Sequence, residues 1–148
     1  MPRGEDVKGA YILLMVLDEP RDITVGSLGL LHLAKGTYAY VGSAMGGLEQ
    51  RVARHLRKEK RIHWHIDHLL STLDDAEALL IPSMVNVECE LASFISSVPG
   101  ASPVLGFGCS DCRCRSHLFL LPGPMAECLR SSFPPEMTRR PHVRDGKK

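Results

Sequence analysis

"GTYAYVGSAMGGLEQRVARHL", residues 36–56, holds the passage from strand to helix that decides the fold. Thr37, Tyr38, Tyr40 and Val41 are residues that suit a pleated, half-buried surface, so the first nine positions read as a strand. Gly46 and Gly47 interrupt it. Beyond them Leu48, Val52 and Leu56 recur at i, i+4 and i+8, the apolar stripe of an amphipathic helix predicted from about Gly47 to Lys58. On that helix Arg51 and His55 stand four apart with Arg54 beside them, so the three project from neighbouring rows of one surface. Tyr38 and Tyr40, two apart, share one face of the strand. If that face looks toward the helix, two phenols, a guanidinium and an imidazole converge. The turn glycines would let a phosphate approach backbone amides, with Gly47 at the helix start. Such a grouping suits phosphodiester chemistry, in which Arg holds phosphate oxygens and a Tyr or His moves a proton. A tyrosine pair on a strand is also, and more often, packing plus surface.

Outward from this stretch, "GAYILLMVL" (9–17) reads as a strand ended by "DEPRD". "ITV" and "LLHLA" flank "GSLG" as a hairpin, and with the strand at 36–44 these make an antiparallel meander. A second helix is expected over about 63–73, burying Ile66, Leu69, Leu70 and Leu73, followed by a short strand in "AEALLIPS". Asn86 is placed to cap a third helix running to about Val98, with Leu91, Phe94 and Ile95 apolar. "HLFLLP" is the last strand. From Pro122 the chain carries five prolines and a net charge of +3 with few large aliphatics. The expectation is a folded domain over 8–122 and a basic, Pro-rich, disordered tail over 123–148 whose charge adds nonspecific affinity for nucleic acid.

The 148 residues, 44% hydrophobic and 24% charged, fit one ordinary globular domain. The apolar run "YILLMVL" is far too short to span a bilayer, and the first ten residues are too polar for a secretory signal. Five cysteines, an odd number, fit a reducing compartment better than a disulfide framework, so the expected location is the cytoplasm, with no membrane partner. The overall charge of +1 says little, but its distribution says more. Residues 49–61 net +4, with Arg51, Arg54, Arg57 and Lys58 among the cations, whereas residues 67–90 net −6 with no Lys or Arg. One stretch can meet phosphate and the other can hold a cation. Solvated helix faces would give the same asymmetry.

Two further patches bear on chemistry. In "RIHWHIDHLL" (61–70), His63 and Asp67 are four apart and read as a His–carboxylate pair on a helix surface, with a metal site through the imidazoles as the alternative. Trp64 reads as core rather than as a base-stacking platform, since the chain is only 5% aromatic. "GCSDCRCRSH" (108–117) offers Cys109, Cys112, Cys114 and His117, a set four-coordinate zinc would use. These ligands are squeezed into nine residues, with no second pair elsewhere unless Cys89 supplies one, which favours a tight loop of buried thiols with Arg113 and Arg115 facing backbone phosphate.

In order along the chain, "GAY" (9–11), "YVG" (40–42), an Arg nine residues after that Gly, a His four later and "ECELASFI" (88–95) resemble the GIY-YIG nuclease superfamily. The closer resemblance is to its small, mostly archaeal stand-alone branch, in strings such as "YVGSA-GGL--R--RHLR", "HWHID-LL" and "SDCRC-SHLF", and it covers residues 8–121. The resemblance implies an α+β fold with a small antiparallel sheet flanked by three helices. It implies that Tyr11 and Tyr40 line the site, that Arg51 stabilises the charge on the phosphorane-like state with His55 one turn later, and that His63 or His65 reaches the phosphate. Glu88 would hold one divalent cation, Mg2+ or Mn2+, whose hard, water-rich shell needs only one protein carboxylate. Two departures stand out: Ala10 replaces the usual Ile, and 28 residues separate Tyr11 from Tyr40, far more than in the superfamily, so Tyr38 is a reserve for the first tyrosine role. The expected function is a magnesium-dependent, structure-directed endonuclease acting on DNA rather than RNA. The alternative is a noncatalytic nucleic-acid-binding module of a DNA repair assembly.

Overall fold

The computed structural model describes residues 7–57, 65–73, 76–108, 114 and 116–140. Its elements are β1 (Gly9–Leu17), β2 (Arg21–Val25), β3 (Gly29–Leu33), β4 (Gly36–Ala44), α1 (Leu48–Leu56), α2 (His65–Leu70), β5 (Glu77–Pro82), α3 (Glu88–Ser96), β6 (Ser102–Pro103), β7 (Leu118–Leu121), α4 (Gly123–Ser132) and β8 (Thr138–Arg139). Six strands form one sheet in the order β6-β7-β4-β1-β5-β8, every pair antiparallel. The expected α+β class with an antiparallel sheet is the one adopted.

β1 lies inside the sheet because it is apolar on both faces. Tyr11, Leu13 and Met15 pack on one side with Tyr38 and Tyr40 of β4, Leu48 and Val52 of α1, and Ile66, Leu69 and Leu70 of α2. Ile12 and Leu14 pack on the other with Ala39 and Val41, Ala92 and Ile95 of α3, and Ala126 of α4. A strand covered on both faces reads as a continuous apolar run, which "AYILLM" is. Each of these large side chains contributes about 1.5–3 kcal/mol by leaving water.

The meander is corrected. β1 pairs directly with β4, from Gly9↔Ala44 to Leu17↔Gly36, and β2 and β3 form a ribbon of their own. Only one face of β2 is apolar: Ile23 and Val25 are buried while Asp22 and Thr24 are exposed, a pattern that fits a ribbon lying on the core but not a strand covered on both sides.

The disordered tail and the count of three helices are corrected too. Residues 123–140 form α4 and β8, and the described residues hold four α-helices. α4 starts at the Pro122–Gly123–Pro124 corner and lays Met125, Ala126, Leu129 and Phe133 against the second face of the sheet. Its prolines fall at the first turn, where a missing N–H costs nothing. Three arginines of this segment are engaged within the molecule: Arg130 and Arg140 with Glu77, and Arg139 with Glu49. Residues 141–148 lie outside the described residues. In α3, Phe94 is 61% exposed instead of buried, because Ala92 and Ile95 take the face toward the sheet.

Candidate functional site

The register places Tyr11 of β1 opposite Gly42 of β4. The Tyr11 ring occupies the space above that glycine: a Cβ on Gly42 would sit 2.3 Å from Oη. The glycine of "YVG" is therefore the seat of a ring. From that seat Tyr11 Oη lies 2.6 Å from His55 Nε2 on α1, and the Tyr40 ring lies 6.5 Å away between centroids. Tyr38 looks elsewhere, its hydroxyl donating to the Ala34 carbonyl at 2.8 Å. Tyr11, and not Tyr38, is thus the partner of Tyr40, and the extra length between them leaves the sheet after β1 as the β2–β3 ribbon and returns in β4 without disturbing the pair.

Glu88 opens α3, which packs on the opposite face of the sheet from α1. The two sides meet at an edge. β7 pairs with β4 only over Thr37–Tyr40, and the Val41 N–H donates to the His117 carbonyl just before β7 begins. At the following residues of β4, Ser43 Oγ donates to Glu88 Oε1 at 2.7 Å, while Arg51 Nη1 donates to the Ser43 carbonyl at 3.1 Å. One serine therefore links the carboxylate from one face to the guanidinium from the other. His117 Nδ1 lies 2.6 Å from Glu88 Oε2, and the Asn86 side chain accepts the Glu88 N–H at 2.9 Å, the role expected of a residue that starts a helix. Arg51, Ser43 and Glu88 are half-buried; Tyr11, His55 and Tyr40 are buried.

Electrostatics separates the acids. For Glu88 burial acts to raise the pKa, but hydrogen bonds from His117 and Ser43 and the charges of His117 and Arg51 outweigh it, so the carboxylate is held below its ordinary range. Burial pushes the Tyr11 phenol up, and Arg51 only partly offsets that. Tyr40 is raised by burial and then by Tyr11 and Glu88. Both phenols are neutral at neutral pH, and Glu88 is ionised.

Other expected site residues fall differently. Both carboxylate oxygens of the fully buried Asp67 bond to Arg54 at 3.0 Å, which ties α2 to α1. Arg54 and Asp67 are thereby bound to each other across the two helices, while His63, the histidine one turn before Asp67, lies outside the described residues. His65 Nδ1 accepts the Gly108 N–H at 2.9 Å, and its ring meets Phe107 edge-on, with Phe107 in turn edge-on to Tyr40; burial and then His68 lower its pKa. His65 thus buttresses the site. Gly47, at φ +149, makes the turn into α1 but is buried, and the Leu48 N–H that follows it donates to the Val7 carbonyl, so Gly47 offers no open phosphate cradle. Arg57 is exposed at the end of α1. Lys58, His63, Trp64, Cys109, Cys112, Arg113 and Arg115 lie outside the described residues.

Among the described residues, Cys89, Cys114 and His117 bring one ligand atom each to within 4.8 Å of one another. Ser43, and the contact of His117 with Glu88, escaped the sequence reading because their partners are tens of residues away. Ser43 had one signal, its place directly after the "YVG" glycine.

No helix among the described residues is long and apolar enough to cross a membrane. A family model described as "Domain of unknown function DUF123" matches residues 10–136. Neither the curated proteins nor the solved structures contain a match to the chain.

Proposed function

The chain belongs to the DUF123 family, and from the side chains gathered at the edge of its sheet we propose that it is a GIY-YIG-type endonuclease that hydrolyses DNA phosphodiester bonds with the help of one divalent cation. The observation that carries this reading is the arrival of Glu88 from one face of the sheet and of Tyr11, His55 and Arg51 from the other around Ser43. Residues of these types, in this order along the chain, are those of the superfamily that the sequence resembles.

The residues fit a hard cation. Glu88 is ionised and half-exposed, and although each of its oxygens already has one partner, a carboxylate oxygen carries a second lone pair. When bound to Glu88, Mg2+ or Mn2+ would neutralise phosphate charge and lower the pKa of its own water. Arg51, always protonated, would pair with the non-bridging phosphate oxygens as charge builds on them. Its bond to the Ser43 carbonyl fixes the guanidinium beforehand. Tyr11 is too weak an acid to stand as a phenolate, so it acts with a neighbour: as it accepts a proton from the attacking water, its own passes to His55 Nε2. Tyr40 would orient this pair from the side.

The test is cleavage of supercoiled plasmid and of flap, junction and hairpin DNA, with and without Mg2+, by the natural protein and by Glu88→Gln and Arg51→Ala. Cutting that needs the metal and falls by about 10²-fold or more in both variants is expected. Binding without cutting in any divalent metal would instead make the chain a nucleic-acid-binding module, and preferential cutting of RNA would reassign the substrate.

A further inference from the structure

We propose that Cys89, Cys114 and His117 form a second metal site, distinct from the one assigned to Glu88, and that its ion is Zn2+. The three ligand atoms come from the first turn of α3 and from the run-in to β7, two segments that only the fold brings together, and lie within 4.8 Å of one another. Two thiols and an imidazole are soft and borderline ligands, the set that selects zinc over magnesium. Around a tetrahedral zinc with bonds of about 2.3 Å to sulfur, ligand atoms stand about 3.7 Å apart, so the group must close by about 1 Å. Cys89 is exposed and can supply that movement by a change of rotamer.

The surroundings of His117 favour the same conclusion. It is buried, 1% exposed, and its Nδ1 lies 2.6 Å from Glu88 Oε2. Zinc would take the place of the Nε2 proton of this imidazole and leave Nδ1–H facing the carboxylate, the arrangement of carboxylate–histidine–zinc arrays. A purely structural pair of thiols would need no such histidine. The site does not depend on the chain being a nuclease.

The experiment uses the full chain, purified under reducing conditions without added metal, then titrated with Co2+ as a spectroscopic stand-in for Zn2+ and assayed for bound zinc. One equivalent per chain is expected, with sulfur-to-cobalt charge transfer and the intense visible bands of a four-coordinate ion, and with zinc displacing the cobalt. Cys89→Ser and Cys114→Ser should each lose the spectrum and the bound metal, whereas Cys128→Ser, at an exposed cysteine on α4, should keep both. Circular dichroism on each variant separates lost ligation from lost folding, and Cys89→Asp, which retains a ligand oxygen, should bind cobalt with weakened charge transfer. Metal that survives Cys89→Ser but not Cys112→Ser would overturn this ligand set. So would a folded chain that binds no cobalt, or a Cys89–Cys114 disulfide formed in place of the ion.

Discussion

Gly42 has no Cβ, and the Tyr11 ring stands where one would be. Gly42→Ala should therefore push the phenol off His55, with a stability loss of about 1–3 kcal/mol from overpacking and a loss of cleavage larger than the loss of fold; denaturant midpoints beside single-turnover cutting check both. Tyr11→Phe keeps the ring and removes only the hydroxyl, so the proposed relay predicts about 10²–10⁴-fold slower cutting by a protein of near-natural structure, measured on the same substrates. Glu88 carries a pH signature. Its folded pKa lies below the ordinary 4.5, so its contribution to stability is present above pH 4.5 and is lost as pH falls through the folded value. Urea midpoints across the acid range should show Glu88→Gln less sensitive to pH than the natural protein below 4.5 and less stable above it. Tyr40, Arg51 and His55 were legible because strand alternation and helical spacing put them on definite surfaces, and the resemblance supplied Tyr11 and Glu88. Ser43 and the contact of His117 with Glu88 were not legible, since no local period links positions 43, 88 and 117.

At the level of elements, α1 and α2 are joined by the Arg54–Asp67 pair as much as by their leucines. Asp67 is wholly buried, and Arg54→Ala would remove the guanidinium that meets both its oxygens, a loss of about 3–5 kcal/mol. The paired change Arg54→Met with Asp67→Leu should recover most of that, and thermal unfolding of the single and double variants decides it. The charge run of residues 49–61 gave no warning of this use: Arg54 looks like its neighbours in sequence, and only the arrival of a buried carboxylate from another helix sets it apart. The β2–β3 ribbon shows the converse. Its turn was readable from "GSLG", but its separation from β1 depends on β4 completing β1 along nine positions, a long-range pairing that turn chemistry does not encode.

For the whole molecule, the C-terminal segment is structural. Met125, Ala126, Leu129 and Phe133 cover the sheet face that carries Ile12, Leu14 and Val41, and Arg139 and Arg140 engage Glu49 and Glu77. A chain ending at Pro122 should expose that face and aggregate, or unfold with a broader, less cooperative transition than the full chain, which size-exclusion chromatography with scanning calorimetry would show. Prolines and a positive charge misled the reading of this segment because four apolar residues spaced through it suffice to anchor a helix when a bare sheet face awaits them. The shortness of β7 has a last consequence. It zips to β4 for four rungs and stops, and the aperture left beyond is where carboxylate and guanidinium meet. Two more rungs would lace that gap shut, so access to the proposed chemistry is set by the length of one short strand.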